Sequence, residues 1–406
     1  MLSEMLHPKT WSTGHVRRVQ TLRKSCGRRY TAHSRSLQTA ARYDSNVVNI
    51  VEVGPRDGLQ NEKAVIPPSV KAELVTRLGR AGMKTIESGS FVSPKWVPQM
   101  AGTPEVLQTM ERLPGVRYPV LVPNMKGLDN LFALLDSASP SDVPFTDEIA
   151  IFTAATDAFC KANTNCTIAE SLERLASVTE RAKAKGLRVR GYVSVVVVCP
   201  YTGRVDYKKV KDVSRALLDM GCYEVSLGDT VGAGSPWDIR SMLETVMSGA
   251  GALPATQLAG HFHDTYGTGV PNILAALELG LRTFDASVAG LGGCPYSPGA
   301  TGNVATEDVL YALQGSGYKT PGDLDALAEV GGWISGMLGR RNESRAGKAI
   351  LARMAKEKEV ALVKERERDG GAAERVTGAD VDVAMRRREE NIVKERERDG
   401  GAAEKV

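Results

Sequence analysis

Histidine is scarce in this chain of 406 residues, which holds five. Three of them, His7, His15 and His33, lie in an Arg-rich leader, so the remainder carries two. Cysteine is sparse as well. There are six with no CxxC pair, and Cys26 belongs to the leader. The odd five left over imply no disulfide framework. No apolar run is long enough to span a membrane, although the composition, 42% hydrophobic and 25% charged, is that of a globular chain. The leader lacks the continuous apolar core of a secretory signal. A Gly-rich dinucleotide fingerprint is missing after every strand candidate, which disfavours an open doubly wound sheet.

The net charge of +4 is unevenly placed. Residues 1–46 hold nine Lys/Arg against two acids, a surplus of seven that leaves the rest near −3. The basic character therefore belongs to the leader and gives no reason to expect a nucleic-acid partner. Arg17, Arg18, Arg23, Arg28, Arg29, Arg35 and Arg42 are interleaved with Ser and Thr, the composition of a mitochondrial transit peptide, with a disordered basic arm or a mis-assigned start as the competing readings. The expected organisation is a cleaved leader over 1–46, a catalytic domain over 47–350, and a charged tail over 351–406. The tail repeats itself: Val363–Glu374 recurs letter for letter as 393–404. Two Gly-broken copies cannot bury a core, so they are not a repeat domain.

Between 47 and about 314 the pattern alternates strand-like and helix-like segments. The strand candidates are 47–53, 84–90, 117–123, 148–155, 188–197, 223–229, 257–264 and 283–290. Helical patterns between them include Ser69–Ala81, Thr167–Lys185, Tyr207–Met220 and Pro236–Ser248, with Ser69, Thr167 and Ser235 as starts. Eight β/α units in about 270 residues predict an α/β fold, a TIM (β/α)8 barrel, with additional C-terminal helices around Asp323–Leu338 and Lys348–Lys364. The long connection from Ser137 to Asp147 reads as a surface insertion.

The polar residues collect where such a barrel keeps its chemistry, at the carboxyl ends of the strands. His261 and His263 stand two apart, so on a strand both imidazoles share a face and form a metal half-site. The alternative is two unrelated strand histidines. Arg56 and Asp57 follow the first strand in Gly54-Pro55-Arg56-Asp57-Gly58, which could otherwise be a solvated turn. Glu87 is an acid inside the second strand, and Asp229 ends the sixth. The loop 290–303 has five glycines, and Cys294 and Asn303 lie in it. It suits a flap, although Cys294 could equally be a buried thiol and Asn303 a helix cap. Asp57, His261, His263 and Asn303 together supply two nitrogens and two oxygens. That mixture favours octahedral Mg²⁺ or Mn²⁺ over a closed zinc site.

Five segments carry a resemblance to a known family: Val51–Glu62, Ser90–Met100, Gly221–Thr230, the His-x-His-Asp-Thr-Tyr-Gly of 261–267, and Gly-Leu-Gly-Gly-Cys-Pro-Tyr at 290–296. From about 47 to 350 the chain resembles the 3-hydroxy-3-methylglutaryl-CoA (HMG-CoA) lyases. The resemblance implies cleavage of HMG-CoA to acetyl-CoA and acetoacetate, in leucine catabolism and ketone-body formation; the basic leader adds the mitochondrial matrix as the expected compartment. It implies a divalent cation on Asp57, His261, His263 and Asn303. Cys294, Arg56, Asp229 and Glu87 are the catalytic candidates, Arg56 and Gln60 the substrate-binding ones, and Glu307 a supporting position. The expected partner is a small-molecule acyl-CoA, with a homodimer compatible and neither nucleic acid nor membrane implied. The rivals are a condensing synthase on the same barrel, disfavoured by Cys294, and a catalytically silent paralogue, disfavoured by the intact ligand set. One departure stands out: Ser194-Val195-Val196-Val197-Val198-Cys199 lacks a family glycine at position 198. A positive φ at Val198 would strain the backbone.

Overall fold

The structure is a computed structural model that describes residues 46–60, 62, 64–138, 141, 143–293 and 302–368. Residues 1–45 of the expected leader, the duplicated segment beyond 368 and Cys294 lie outside the described residues.

Eight parallel strands form one sheet. They are β1 (Asn49–Glu52), β2 (Thr85–Ile86), β3 (Val120–Leu121), β4 (Glu148–Ala154), β5 (Arg188–Ser194), β8 (Glu224–Asp229), β9 (Leu258–Phe262) and β10 (Thr283–Ala286). A separate two-stranded hairpin, β6 (Val198–Cys199) and β7 (Gly203–Arg204), interrupts the series after β5. The sheet order is β2-β1-β10-β9-β8-β5-β4-β3. Its two edges are then joined. Ile86 N–H donates to Arg117 O, Ser88 N–H to Pro119 O, Leu121 N–H to Gly89 O and Phe91 N–H to Leu121 O, at 2.8–3.0 Å. The sheet is therefore closed, as the TIM-barrel reading expected, and the open doubly wound alternative fails. Each strand candidate contains one barrel strand, trimmed at its ends.

Helices cover the outside because their starts and stops are written locally. Helix α5 (Ile168–Ala184) begins with a capping box between Thr167 and Glu170, and α7 (Pro236–Met247) with one between Ser235 and Asp238. Helix α1 (Pro68–Arg80) differs from expectation: it starts one residue before Ser69, with Pro67 as its cap residue. Proline at the first helical position is pre-organised and has no N–H to waste there. Gly186 ends the α5 unit at φ +87°, a conformation that side chains resist. Past the barrel come α9 (Thr306–Gly315), α10 (Leu324–Leu338) and α11 (Arg345–Arg368). The last runs across position 350, where the tail was expected to begin. Among the described residues no helix is long and apolar enough to cross a membrane.

Strand alternation separates two environments. Outward residues such as Val193, Leu227, Phe262 and Phe284 are buried under the helices. Inward residues are unusually polar. Arg190 Nε donates to Glu224 Oε1 at 2.9 Å and Nη1 to the Tyr192 hydroxyl at 2.8 Å, while Nη2 pairs with Asp285 Oδ1 at 2.9 Å. At the barrel's base Glu148 is 1% exposed, and the Tyr223 hydroxyl donates to its Oε1 at 2.7 Å.

Burial raises the Glu148 carboxyl to about 7, despite the Tyr223 hydrogen bond and the charge of Arg190. Unfolded, the same group loses its proton near its ordinary value of 4.5. Between those pH values the folded chain holds a proton that the unfolded chain has lost, so this carboxyl makes stability fall as pH rises. Glu148→Gln should flatten that slope, by about 1–3 kcal/mol between the two ends of the window. Urea denaturation of both proteins across the window measures it, and parallel pH profiles would exclude the effect.

Candidate active site at the carboxyl rim of the barrel

Strand β1 does not run straight into a loop. Residues Gly54–Gly58 wind into a π-helical turn in which the N–H groups of Arg56, Asp57 and Gly58 all donate to Val53 O. This turn puts Arg56 and Asp57 side by side at the rim. Arg56, 6% exposed, donates Nε to Glu87 Oε2 at 2.8 Å, places Nη2 2.7 Å from the same oxygen, and pairs Nη1 with Asp57 Oδ1. Its guanidinium also lies 5.5 Å from the centre of the Tyr192 ring. Burial disfavours the cation, but Glu87 and Asp57 outweigh it and hold the Arg56 pKa well above its ordinary value. Burial also pushes the Glu87 carboxyl up, against the opposing pull of Arg56.

Asp57 is the meeting point. Its Oδ1 also accepts from Gln60 Nε2 at 2.8 Å, and its Oδ2 accepts from Asn303 Nδ2 at 2.8 Å. His261 Nε2 stands 3.9 Å from that Oδ2. Burial raises the Asp57 carboxyl, but Arg56, both imidazoles and the Asn303 amide hold it down at about 2. His261 faces into the barrel in register with Gly228 and Asp285. His263 follows two residues later, the ring centroids 5.3 Å apart. Burial and then the neighbouring His261 lower the His263 pKa to about 3, so this imidazole is neutral and able to ligate.

Asp57, His261 and His263 each offer a ligand atom, and these atoms lie within 4.8 Å of one another. A buried nitrogen, His263 Nδ1, has no hydrogen-bond partner among the described residues. A carboxylate with two buried imidazoles fits a metal ion, and an orphaned ring nitrogen is what such a group leaves when it is not satisfied by protein alone. Asn303 joins the group through a β-bridge to His263. As placed, it donates Nδ2 to Asp57 and to Leu291 O; an amide turned half a revolution presents its oxygen instead. Gly292, at φ +131°, makes the room: a Cβ there would come within 2.8 Å of Asn303 Nδ2.

The other predicted residues fall elsewhere. Gln60 is occupied in holding Asp57. Asp229 is not brought into the group. It pairs in register with Phe262, so its side chain leaves the barrel on the outward face. There its carboxylate accepts the Gly234 N–H at 2.8 Å, along with the N–H groups of Gly232 and Ala233, and burial raises its pKa to about 6. Glu307 accepts the N–H of Ala289, a residue at φ +57° just before the flap. The strain expected at Val198 is at Val195 instead, which has φ +55° and donates its N–H to Thr230 Oγ1. Val198 pairs as an ordinary strand residue in the hairpin, which shifts the tight turn three residues earlier. Tyr192, Arg190, Asp285 and Ser226 were missed by the sequence reading. The signal was available: Arg188, Arg190 and Tyr192 occupy alternate positions of one strand, so they share a face that in most barrels is apolar.

The comparisons with known proteins match this geometry. A sequence model of the HMGL-like family matches residues 47–334. The hydroxymethylglutaryl-CoA lyase of Pseudomonas mevalonii is 51% identical over 310 residues, 76% of this chain and 99% of that protein. The mitochondrial hydroxymethylglutaryl-CoA lyase of Gallus gallus is 50% identical over 302 residues, 74% of this chain and 97% of its own. The crystal structure of hydroxymethylglutaryl-CoA lyase from Pseudomonas aeruginosa is similar at a TM-score of 0.71 and 51% identity, covering 76% of this chain and 98% of that one. With a closed parallel barrel and an Arg-Asp-His-His group at its rim, the chain belongs to the HMGL-like family.

Proposed function

We propose that this protein is a carbon–carbon lyase that cleaves HMG-CoA to acetyl-CoA and acetoacetate. The observation that carries the reading is the seating of Arg56 beside a carboxylate and two imidazoles at one rim, in a chain half identical to hydroxymethylglutaryl-CoA lyases over nearly their whole length. A divalent cation, Mg²⁺ or Mn²⁺, held by Asp57, His261, His263 and the turned Asn303 amide, would supply Lewis acidity that makes the substrate's tertiary hydroxyl easier to deprotonate.

The remaining work falls to the chain's own residues. A base of the site takes the hydroxyl proton, the C3 oxygen forms a ketone as the C2–C3 bond breaks, and the bonding pair becomes the thioester enolate. Arg56 is the cation we assign to that enolate oxygen, whose charge develops as the bond breaks. Glu87 and Asp57 fix the guanidinium, so it need not reorganise when the charge appears. Cys294, supplied by the glycine-rich loop, relays the proton that converts the enolate carbon to the methyl of acetyl-CoA. We place the activity in the mitochondrial matrix, on the strength of the basic, acid-poor leader.

Three outcomes follow. Chelation should abolish acetoacetate production, Mg²⁺ or Mn²⁺ should restore it, and His261→Ala or His263→Ala should each lower metal affinity and activity by orders of magnitude; full activity after exhaustive chelation would end the metal reading. Arg56→Met should cost about 10²–10³-fold in kcat and Cys294→Ala about 10²–10⁴-fold, both in folded protein. A Cys294→Ala enzyme turning over at the wild-type rate would remove the thiol from the mechanism. Protein isolated from mitochondria should begin between about 28 and 46, and N-terminal sequencing that finds an intact Met1 would contradict the leader.

A further inference from the structure

The two imidazoles of the site are held in different ways. His263 Nδ1 is buried without a hydrogen-bond partner among the described residues. His261 Nδ1 lies 3.1 Å from Asp285 Oδ2. The same carboxylate oxygen accepts from Ser226 Oγ at 2.7 Å, and its other oxygen is paired with Arg190 Nη2 at 2.9 Å. Arg190 is anchored in turn by Glu224 and by the Tyr192 hydroxyl, which continues to Glu87 Oε2 at 3.3 Å and so to Arg56. Arg190, Tyr192, Glu224, Ser226, His261 and Asp285 project into the barrel from β5, β8, β9 and β10, strands whose register is tied by the ladders between them.

From this arrangement we infer that Asp285, braced by Ser226 and Arg190, is the positioning residue of the metal site: it holds the His261 proton on Nδ1 and so aims the Nε2 lone pair at the ion. An ionised carboxylate only accepts hydrogen bonds, so a neutral His261 must donate from Nδ1, and its lone pair is left on Nε2. That is the nitrogen facing Asp57, 3.9 Å away. A carboxylate behind a ligating imidazole fixes both tautomer and ring plane. His263, lacking such a support, is the adjustable ligand of the pair. The inference rests on the metal reading proposed above and extends it to residues that touch neither metal nor substrate.

Asparagine at 285 cannot reproduce the arrangement. Its NH₂ must face either Arg190, which is cationic, or the Ser226–His261 side. In the second case Nδ1 has to accept, the proton moves to Nε2, and the nitrogen aimed at the metal has no lone pair. The test uses the full chain loaded with Mn²⁺ and titrated with a competing chelator, with released Mn²⁺ read by electron paramagnetic resonance. Asp285→Asn should surrender its metal about 10–100-fold more readily than wild type, and Ser226→Ala should change in the same direction by less. Tyr192→Phe, which cuts the branch toward Arg56 and leaves Asp285 intact, should retain Mn²⁺ like wild type. An Asp285→Asn protein that holds Mn²⁺ as tightly as wild type would overturn the inference. Should that variant fail to fold, the wild-type chain decides. After chelation in mildly alkaline buffer, ¹⁵N spectra of the histidine-labelled protein should show His261 as the Nδ1–H tautomer, whereas a free imidazole favours Nε2–H. An Nε2–H His261 would overturn the inference. A wild-type chain that binds no Mn²⁺ would break the metal reading instead, and the tautomer would still settle the role of Asp285.

Discussion

One buried guanidinium organises the interior of this barrel. Arg190 sits on the lumen side of β5, essentially without access to solvent, and a guanidinium cannot escape its charge by giving up a proton. Its surroundings must therefore compensate it. Glu224 from the neighbouring β8, the Tyr192 hydroxyl from β5 itself and Asp285 from β10, three strands away in the sheet, do so. Such a cluster is a poor source of net stability, because desolvation consumes much of the attraction. Its value is geometric: the partners can satisfy Arg190 in one strand register, and a slip of one residue would turn them away from the lumen.

The same cluster supports the rim above it. Asp285 backs His261, while Tyr192 leans on Glu87, which holds Arg56. The imidazole side and the Arg56 side thus stand on a common polar floor, where most barrels place branched apolar residues. A second brace lies outside the lumen. Glu52 accepts the N–H groups of Gly54 and Val288 and the Thr306 hydroxyl, tying the π-helical turn to the chain leaving β10 and to the start of α9. Glu307 holds the strained Ala289 beside it. The segment leading into the glycine-rich loop is therefore fixed at its base by two buried acids.

Much of this is legible in the sequence. All eight strands fall inside the segments that periodicity marked, because parallel barrel strands are buried on both faces and read as apolar runs. The starts of α5 and α7 were readable from Thr167 and Ser235, since capping boxes are local chemistry. Reading failed where one residue of register decides the outcome. Asp229 ends β8 at the right height, but alternation turns it outward into the backbone of 232–234, while Ser226 and Gly228 face the lumen. The backbone strain sits at Val195 rather than Val198 because the hairpin claims Val198 for a ladder, which no local pattern of valines announces.

The sequence alone determined the barrel rhythm, the family resemblance and the candidate residues at the strand ends, for these depend on short-range periodicity and on motifs a few residues long. Tertiary structure decided which of those residues meet. Asp57 and His261 are about 200 positions apart, Arg190 and Asp285 come from two further strands, and Glu87 directly follows β2. Only closure of the sheet, with its register, brings the carboxylate, the imidazoles and the guanidinium within reach of one another. The supports behind them, Asp285 and Arg190, looked like ordinary strand residues in the chain. Their roles follow from low-dielectric burial, where every charge needs a partner and each partner's position becomes a constraint on the next.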